Sequence, residues 1–126
     1  MQRRSETVTV TTAYTEVLSH NSLDADEYLM KMAVELTNTG ASQAISAFKI
    51  QLKVHPQAAW YDWLEDTDLQ DVTDLRVLEC STLLPHALTA GQIANFAVAM
   101  PPVYAMRLMA QTAANDTTVR ARASIR

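Results

Sequence analysis

Between Tyr28 and Val54 the chain alternates apolar and polar side chains with a period of two, a pattern that suits a strand with one dry face and not a helix. Tyr28, Met30, Met32, Val34 and Leu36 fall on one side of such a ribbon, and Lys31, Glu35 and Thr37 fall on the other. Phe48, Ile50, Leu52 and Val54 repeat the pattern against Lys49, Gln51 and Lys53. Between the runs, Asn38, Thr39, Gly40 and Ser42 tolerate positive φ or bond their own backbone, so the chain can reverse there. The expectation is a β-hairpin, and the rest of the chain is read around it.

Thr7 to Leu18 is rich in β-branched residues, with Val8, Val10 and Tyr14 on one side, and reads as an opening strand preceded by a short N-terminal arm. His20 to Glu27 is a polar connection. After Val54, His55-Pro56 ends the strand, since proline cannot donate to a ladder. Trp60, Trp63 and Leu64 then match an i, i+3, i+4 spacing, so this stretch is either one helical turn or a strand continuing past a bulge. Leu69, Val72 and Leu75 leave room for a short helix within 57–74. Leu75 to Ser81, Ile93 to Met100, Val103 to Thr112 and Thr117 to Arg126 each alternate as strands, the last with Val119, Ala121, Ala123 and Ile125 inward. About seven strands without a sustained helical period predict an all-β chain, a single antiparallel β-sandwich over residues 1–126.

Composition excludes several classes of function. No apolar run reaches the roughly 18 residues of a membrane helix, and no secretory h-region opens the chain, so a cytoplasmic or virion setting is expected. Cys80 stands alone, so the fold holds by packing and not by an internal disulfide. A net charge of −4 argues against a general nucleic-acid binder. The charge is unevenly placed: Asp62, Glu65, Asp66, Asp68, Asp71 and Asp74 crowd one segment, and Arg120, Arg122 and Arg126 close the chain. These patches either face solvent or meet between copies in an assembly.

No catalytic or cofactor signature emerges. His20, His55 and His86 lack metal spacing, and neither a Cys80–His86 pair nor any Ser/His/Asp set sits in a nucleophile motif. The acids from Glu65 to Asp71 offer oxygen ligands that suit Ca²⁺, but without the glycine and terminal glutamate of an EF-hand loop. No metal and no cofactor is therefore expected. Trp60, Tyr61 and Trp63 are either core or a face that grips a glycan or a protein, and the edge of Arg120, Arg122 and Arg126 suits phosphate, or, as is commoner on an acidic protein, water or a partner's acids.

Two stretches carry a resemblance. V-E-L-T-N-T-G-A, from Val34 to Ala41, and L-T-A-G-Q-I-A-N-F-A-V, from Leu88 to Val98, resemble the immunoglobulin-like modules of the CARDB and DUF11 type. Such modules occur in bacterial surface proteins and as accessory proteins on tailed-phage virions. The resemblance implies an Ig-like sandwich and a non-enzymatic structural role, such as a capsid decoration protein that binds copies of itself or a larger lattice. The alternative it leaves open is a carbohydrate- or protein-binding module using the aromatic cluster.

Overall fold

The computed structural model describes residues 2–21, 30–64, 75–76, 87–100 and 103–125. Among them are nine strands and no helix: β1 (Gln2–Val10), β2 (Thr15–Asn21), β3 (Met30–Asn38), β4 (Ile45–Lys53), β5 (Tyr61–Leu64), β6 (Leu75–Arg76), β7 (Ile93–Met100), β8 (Ala105–Thr112) and β9 (Thr117–Ile125). They form two sheets. Sheet I has the order β1-β9-β3-β7, and sheet II the order β2-β8-β4-β5-β6. All ladders are antiparallel except the two-residue pairing of β5 with β6.

The core lies between the sheets. Val34, Leu36, Val98, Val119 and Ala121 contribute from sheet I; Leu18, Ile50, Leu52, Met106 and Leu108 from sheet II. The facing predicted from alternation holds along β9, where Val119, Ala121, Ala123 and Ile125 are buried and Arg122 is exposed. It fails at Val54, which lies beyond the end of β4 and is 51% exposed.

The expected central hairpin is not formed. β3 pairs with β7 and β9, β4 pairs with β5 and β8, and the two runs face each other across the core from opposite sheets. Alternation fixes which side of a strand is dry, and an arch between sheets satisfies it as well as a hairpin does. The reversal is built differently too. Of the two glycines only Gly91 has positive φ, at 79°. Gly40 is required for space: a Cβ there would collide with Thr117 Oγ1.

Asn38 holds the arch. Its amide donates to the carbonyls of Gln43 (2.8 Å) and Leu88 (3.0 Å), and its Oδ1 accepts from Gly40 N (3.1 Å) and Thr117 Oγ1 (2.8 Å). Asn38 N donates to Gln92 O, and Gly91 N donates to Asn38 O. The T-N-T-G and L-T-A-G-Q stretches, 50 residues apart, are thus two halves of one buried joint.

Other expectations need correction. Thr7 to Leu18 is not one strand, since β1 and β2 belong to different sheets, with an exposed Tyr14 between them. The stretch expected as an arm is part of β1. His20 is a buried residue of β2. Residues 57–64 contain no helix: a turn closed by Ala58 N to His55 O leads into β5, which returns along β4. Residues 65–74, 77–86 and Arg126 lie outside the described residues, and with them the acidic run, Cys80, His86 and most of the expected strand Leu75 to Ser81.

The immunoglobulin-like expectation is also corrected. In that arrangement the last strand lies beside the one before it. Here β9 leaves β8 and inserts between β1 and β3, while β2 takes the place alongside β8. The fold is a β-sandwich of different strand order.

Candidate functional site

The outward face of sheet I follows from its register. With Val119, Ala121 and Ala123 turned to the core, Arg120, Arg122 and Ser124 point away from it. The ladders align three rows across the four strands: Thr7, Arg120, Thr37, Ile93; then Ser5, Arg122, Glu35, Asn95; then Arg3, Ser124, Ala33, Ala97. Small side chains floor the third row, and longer ones rise beside it. The result is an open trench of about 690 Å³, lined by Arg3, Ser5, Ala33, Glu35, Asn95, Arg122 and Ser124 among others.

The charges on this face are lopsided. Among the described residues, Arg3, Lys31, Arg120 and Arg122 stand against one acid, Glu35. Arg122 Nη1 lies 3.8 Å from Glu35 Oε1, with both side chains well exposed, an ion pair worth at most about 1 kcal/mol. Arg3, Lys31 and Arg120 pair with no acid among the described residues. Arg120 lies opposite the buried Thr37, and Arg120 Nε and Thr37 Oγ1 have no hydrogen-bond partner among the described residues. Ile93, opposite Thr37 on β7, is 53% exposed.

Sheet II presents the contrary case, because Lys49 and Lys53 of β4 and Arg107 of β8 are engaged within the chain. Arg107 Nε donates to Gln51 Oε1 (2.7 Å), and Gln51 Nε2 donates to Asp62 Oδ1 (2.8 Å). Lys49 Nζ lies 3.3 Å from Asp62 Oδ1 and 4.2 Å from the centre of the Tyr14 ring. The Trp60 ring is approached by Arg107 at 4.4 Å and by Lys53 at 5.6 Å. Cation–π contacts and the amide bridge together saturate this face.

The structure separates the aromatic cluster. Trp63 is 9% exposed and belongs to the core, with its Nε1 unpartnered among the described residues. Tyr61 lies opposite Leu52 and so turns to the same inner side. Trp60 belongs to the outward network of sheet II. Arg120 and Arg122 come together on the trench face, joined there by Arg3, Lys31, Ala33, Glu35 and Asn95; alternation put Lys31 and Glu35 on a polar side but set none of the five beside the arginines. Only the pairing of β9 with both β1 and β3 brings these into rows. Among the described residues no three His, Cys, Asp or Glu side chains cluster as a metal site, and no helix is long and apolar enough to cross a membrane.

Comparison with known proteins adds little. No family model matches the chain, and no curated protein matches it. Among solved structures, the crystal structure of the SPBc2 prophage-derived protein YomS resembles it at 11% identity and a TM-score of 0.43, over 98% of this chain and 96% of that one. That is a likeness of outline, and no residue role is carried over from it.

Proposed function

We propose that this protein is a non-enzymatic structural protein that works by docking onto copies of itself or onto a larger protein lattice, as an accessory of a phage virion such as a capsid decoration protein. The observation that supports the docking role is the outward face of sheet I, with its small-residue trench and with Arg3, Lys31 and Arg120 paired to no acid among the described residues. Unneutralised charge around an apolar floor favours a partner that supplies both carboxylates and side chains to fill the trench. The virion setting is the finer part of the proposal, and the particle experiment below decides it.

A glycan-gripping module built on Trp60, Tyr61 and Trp63 has less support. Sugar stacking needs an open aromatic face, whereas Trp63 is buried and Trp60 is held under two cations.

Mass spectrometry of particles purified from induced cultures of the encoding organism tests the proposal, together with co-sedimentation of the added protein. Stoichiometric presence, or saturable binding to particles lacking it, is the expected result. A chain absent from particles, unable to bind them and strictly monomeric in solution sinks the reading.

A further inference from the structure

We infer that the outer edge of β7 pairs antiparallel with the β7 edge of a second copy, about a two-fold axis at Asn95, so that sheet I continues from one molecule into the next. The inference rests on the self-docking part of the role proposed above and specifies it, through a strand edge and not through the trench.

Edge strands are ordinarily kept from pairing by charges turned inward, by bulges or by brevity. Among the described residues, β1 has the inward-turned Arg4, which donates to the Ser19 carbonyl of β2. β2 has a bulge between Glu16 and Leu18, and β6 spans two residues. β7 runs for eight residues, Ile93–Met100, with neither a charge nor a proline, and among the described residues it pairs only with β3. The ladder also says which groups point away from β3. Asn38 N donates to Gln92 O, so by alternation Ala94, Phe96 and Val98 turn their backbone groups to β3, whereas Ile93, Asn95 and Ala97 turn theirs to the outer edge. Apolar surface accompanies them. Ile93 is more exposed than any other large hydrophobic side chain described, and Ala94 and Phe96 are only partly covered by the core.

Side-chain size identifies the occupant. Laying β7 beside itself about Asn95 sets Ile93 opposite Ala97 on the outward side and Ala94 opposite Phe96 on the core side, so each large side chain meets a small one. Asn95 meets its own copy, and a carboxamide carries both a donor and an acceptor for that contact. The hydrogen-bonded positions of this register are 93, 95 and 97, the same three whose backbone groups point outward, and they exchange about six bonds. A two-fold at Ala97 instead sets Phe96 against Val98 and leaves Ile93 beyond the partner strand, which ends at Met100. Charge does not oppose the contact. The two β3 strands, with Lys31 and Glu35, stand three strand spacings apart, about 14 Å, beyond the Debye length of about 10 Å at 0.1 M salt.

Five paired residues make a small contact. About 17 Å of strand across the roughly 10 Å between two sheets covers about 170 Å², against about 800 Å² per partner in a standard interface. The expected Kd is therefore about 0.1 to 1 mM, and repetition in an assembly raises the effect through multivalency.

Cysteine capture tests the axis. In a Cys80→Ser background, Asn95→Cys places a thiol opposite its own copy at a Cα separation of about 5.5 Å, within disulfide reach, and should oxidise to a covalent dimer. Ala97→Cys lies about 13 Å from its counterpart in this register and should dimerise at least about tenfold more slowly. An equal mixture of Ile93→Cys and Ala97→Cys should cross-link as the hetero-pair. Sedimentation velocity of the parent up to about 1 mM should show the mass rising with concentration. Because the bonds are backbone bonds, association should change less than about threefold between about 0.1 M and about 1 M NaCl. Asn95→Lys and Asn95→Asp should each stay monomeric, with the parent's circular dichroism since Asn95 is exposed, and their equimolar mixture should associate. The amides of Ile93, Asn95 and Ala97 should exchange freely in dilute solution and slow as the chain associates.

An Asn95→Cys chain that dimerises no faster than Ala97→Cys overturns the pairing, and so does a parent monomeric throughout the series. Protection of the three amides in the dilute monomer overturns it as well, since the chain would then cover its own edge. Association abolished at the higher salt reassigns the contact to the charged face. None of these results touches the docking of the trench face to particles, which co-sedimentation reads separately.

Discussion

At the scale of single residues, Asn38 does the most with the fewest atoms. A side-chain amide offers two donors and two acceptor sites, and all four are used in a residue with no solvent exposure. Asn38→Ala strands the Gly40 N–H, the Thr117 hydroxyl and the Gln43 carbonyl, while the Leu88 carbonyl keeps the Ile45 N–H. With about 1 to 3 kcal/mol for each buried group left unpaired and some relief from relaxation, the expected loss is about 3 to 5 kcal/mol in a urea titration. A loss under about 1 kcal/mol would mean water replaces the amide. The two glycines separate steric from torsional need. Gly40→Ala drives a methyl against Thr117 Oγ1, whereas an added Cβ at Gly91 meets nothing within 4 Å and carries only the strain of φ at +79°. Gly91→Ala should therefore cost about 1 kcal/mol and Gly40→Ala two to three times as much. Combining Gly40→Ala with Thr117→Ala should cost less than the sum of the two, because the second change removes the obstructing oxygen.

At the scale of elements, burial was legible in the sequence and pairing was not. The inward and outward positions of β9, and of β7 from Ala94 to Val98, could be read because each depends on one residue's own polarity, whereas in β8 Ala105 and Met109 share a side with Arg107 and Gln111 and are nonetheless buried. The neighbours of a strand depend on where the chain travels between strands, and Val34 and Leu36 are equally dry in a hairpin and in an arch. The same limit governed the candidate site. Arg120 and Arg122 were recognisable as outward cations, but Arg3 and Ala33 join them only through the register of β9 against β1 and β3. That register is checkable. Ala33 and Ser124 are cross-strand partners on the outward side. Ala33→Cys with Ser124→Cys, in a Cys80→Ser background, should oxidise to one intramolecular disulfide. Closing a loop of about 90 residues should raise stability by about 2 to 4 kcal/mol, somewhat under the chain-entropy limit. A β3–β4 hairpin would pair β3 with a different strand, and the two cysteines would stay reduced in a thiol assay or link between molecules.

At the scale of the whole molecule, the ladders join strands remote from each other in the chain. Gln2 lies opposite Ile125, β3 is closed on one side by β9, and β2 must wait for β8. Such topology folds slowly, in milliseconds to seconds, because loop-closure entropy is lost before distant contacts return it. β9 is the piece on which sheet I closes. It stands between β1 and β3, contributes Val119, Ala121 and Ile125 to the core, and through Thr117 supplies one of the bonds to Asn38. Without it, β1 has no partner in the sheet, and β3 exposes an edge above an open core. A chain ending at Asp116 should accordingly lose its cooperative melt and bind a hydrophobic dye. Everything else in the sandwich is still present in that chain, so a peptide of residues 117–126 added in trans should restore the transition and the near-ultraviolet aromatic signal. A scrambled peptide of equal composition should not, since it cannot alternate Val119, Ala121 and Ile125 inward or place Thr117 beside Asn38. If the shortened chain melts cooperatively within about 5 °C of the parent, a shift worth about 1 kcal/mol or less for a domain of this size, β9 is an accessory strand and the closure of sheet I described here is wrong.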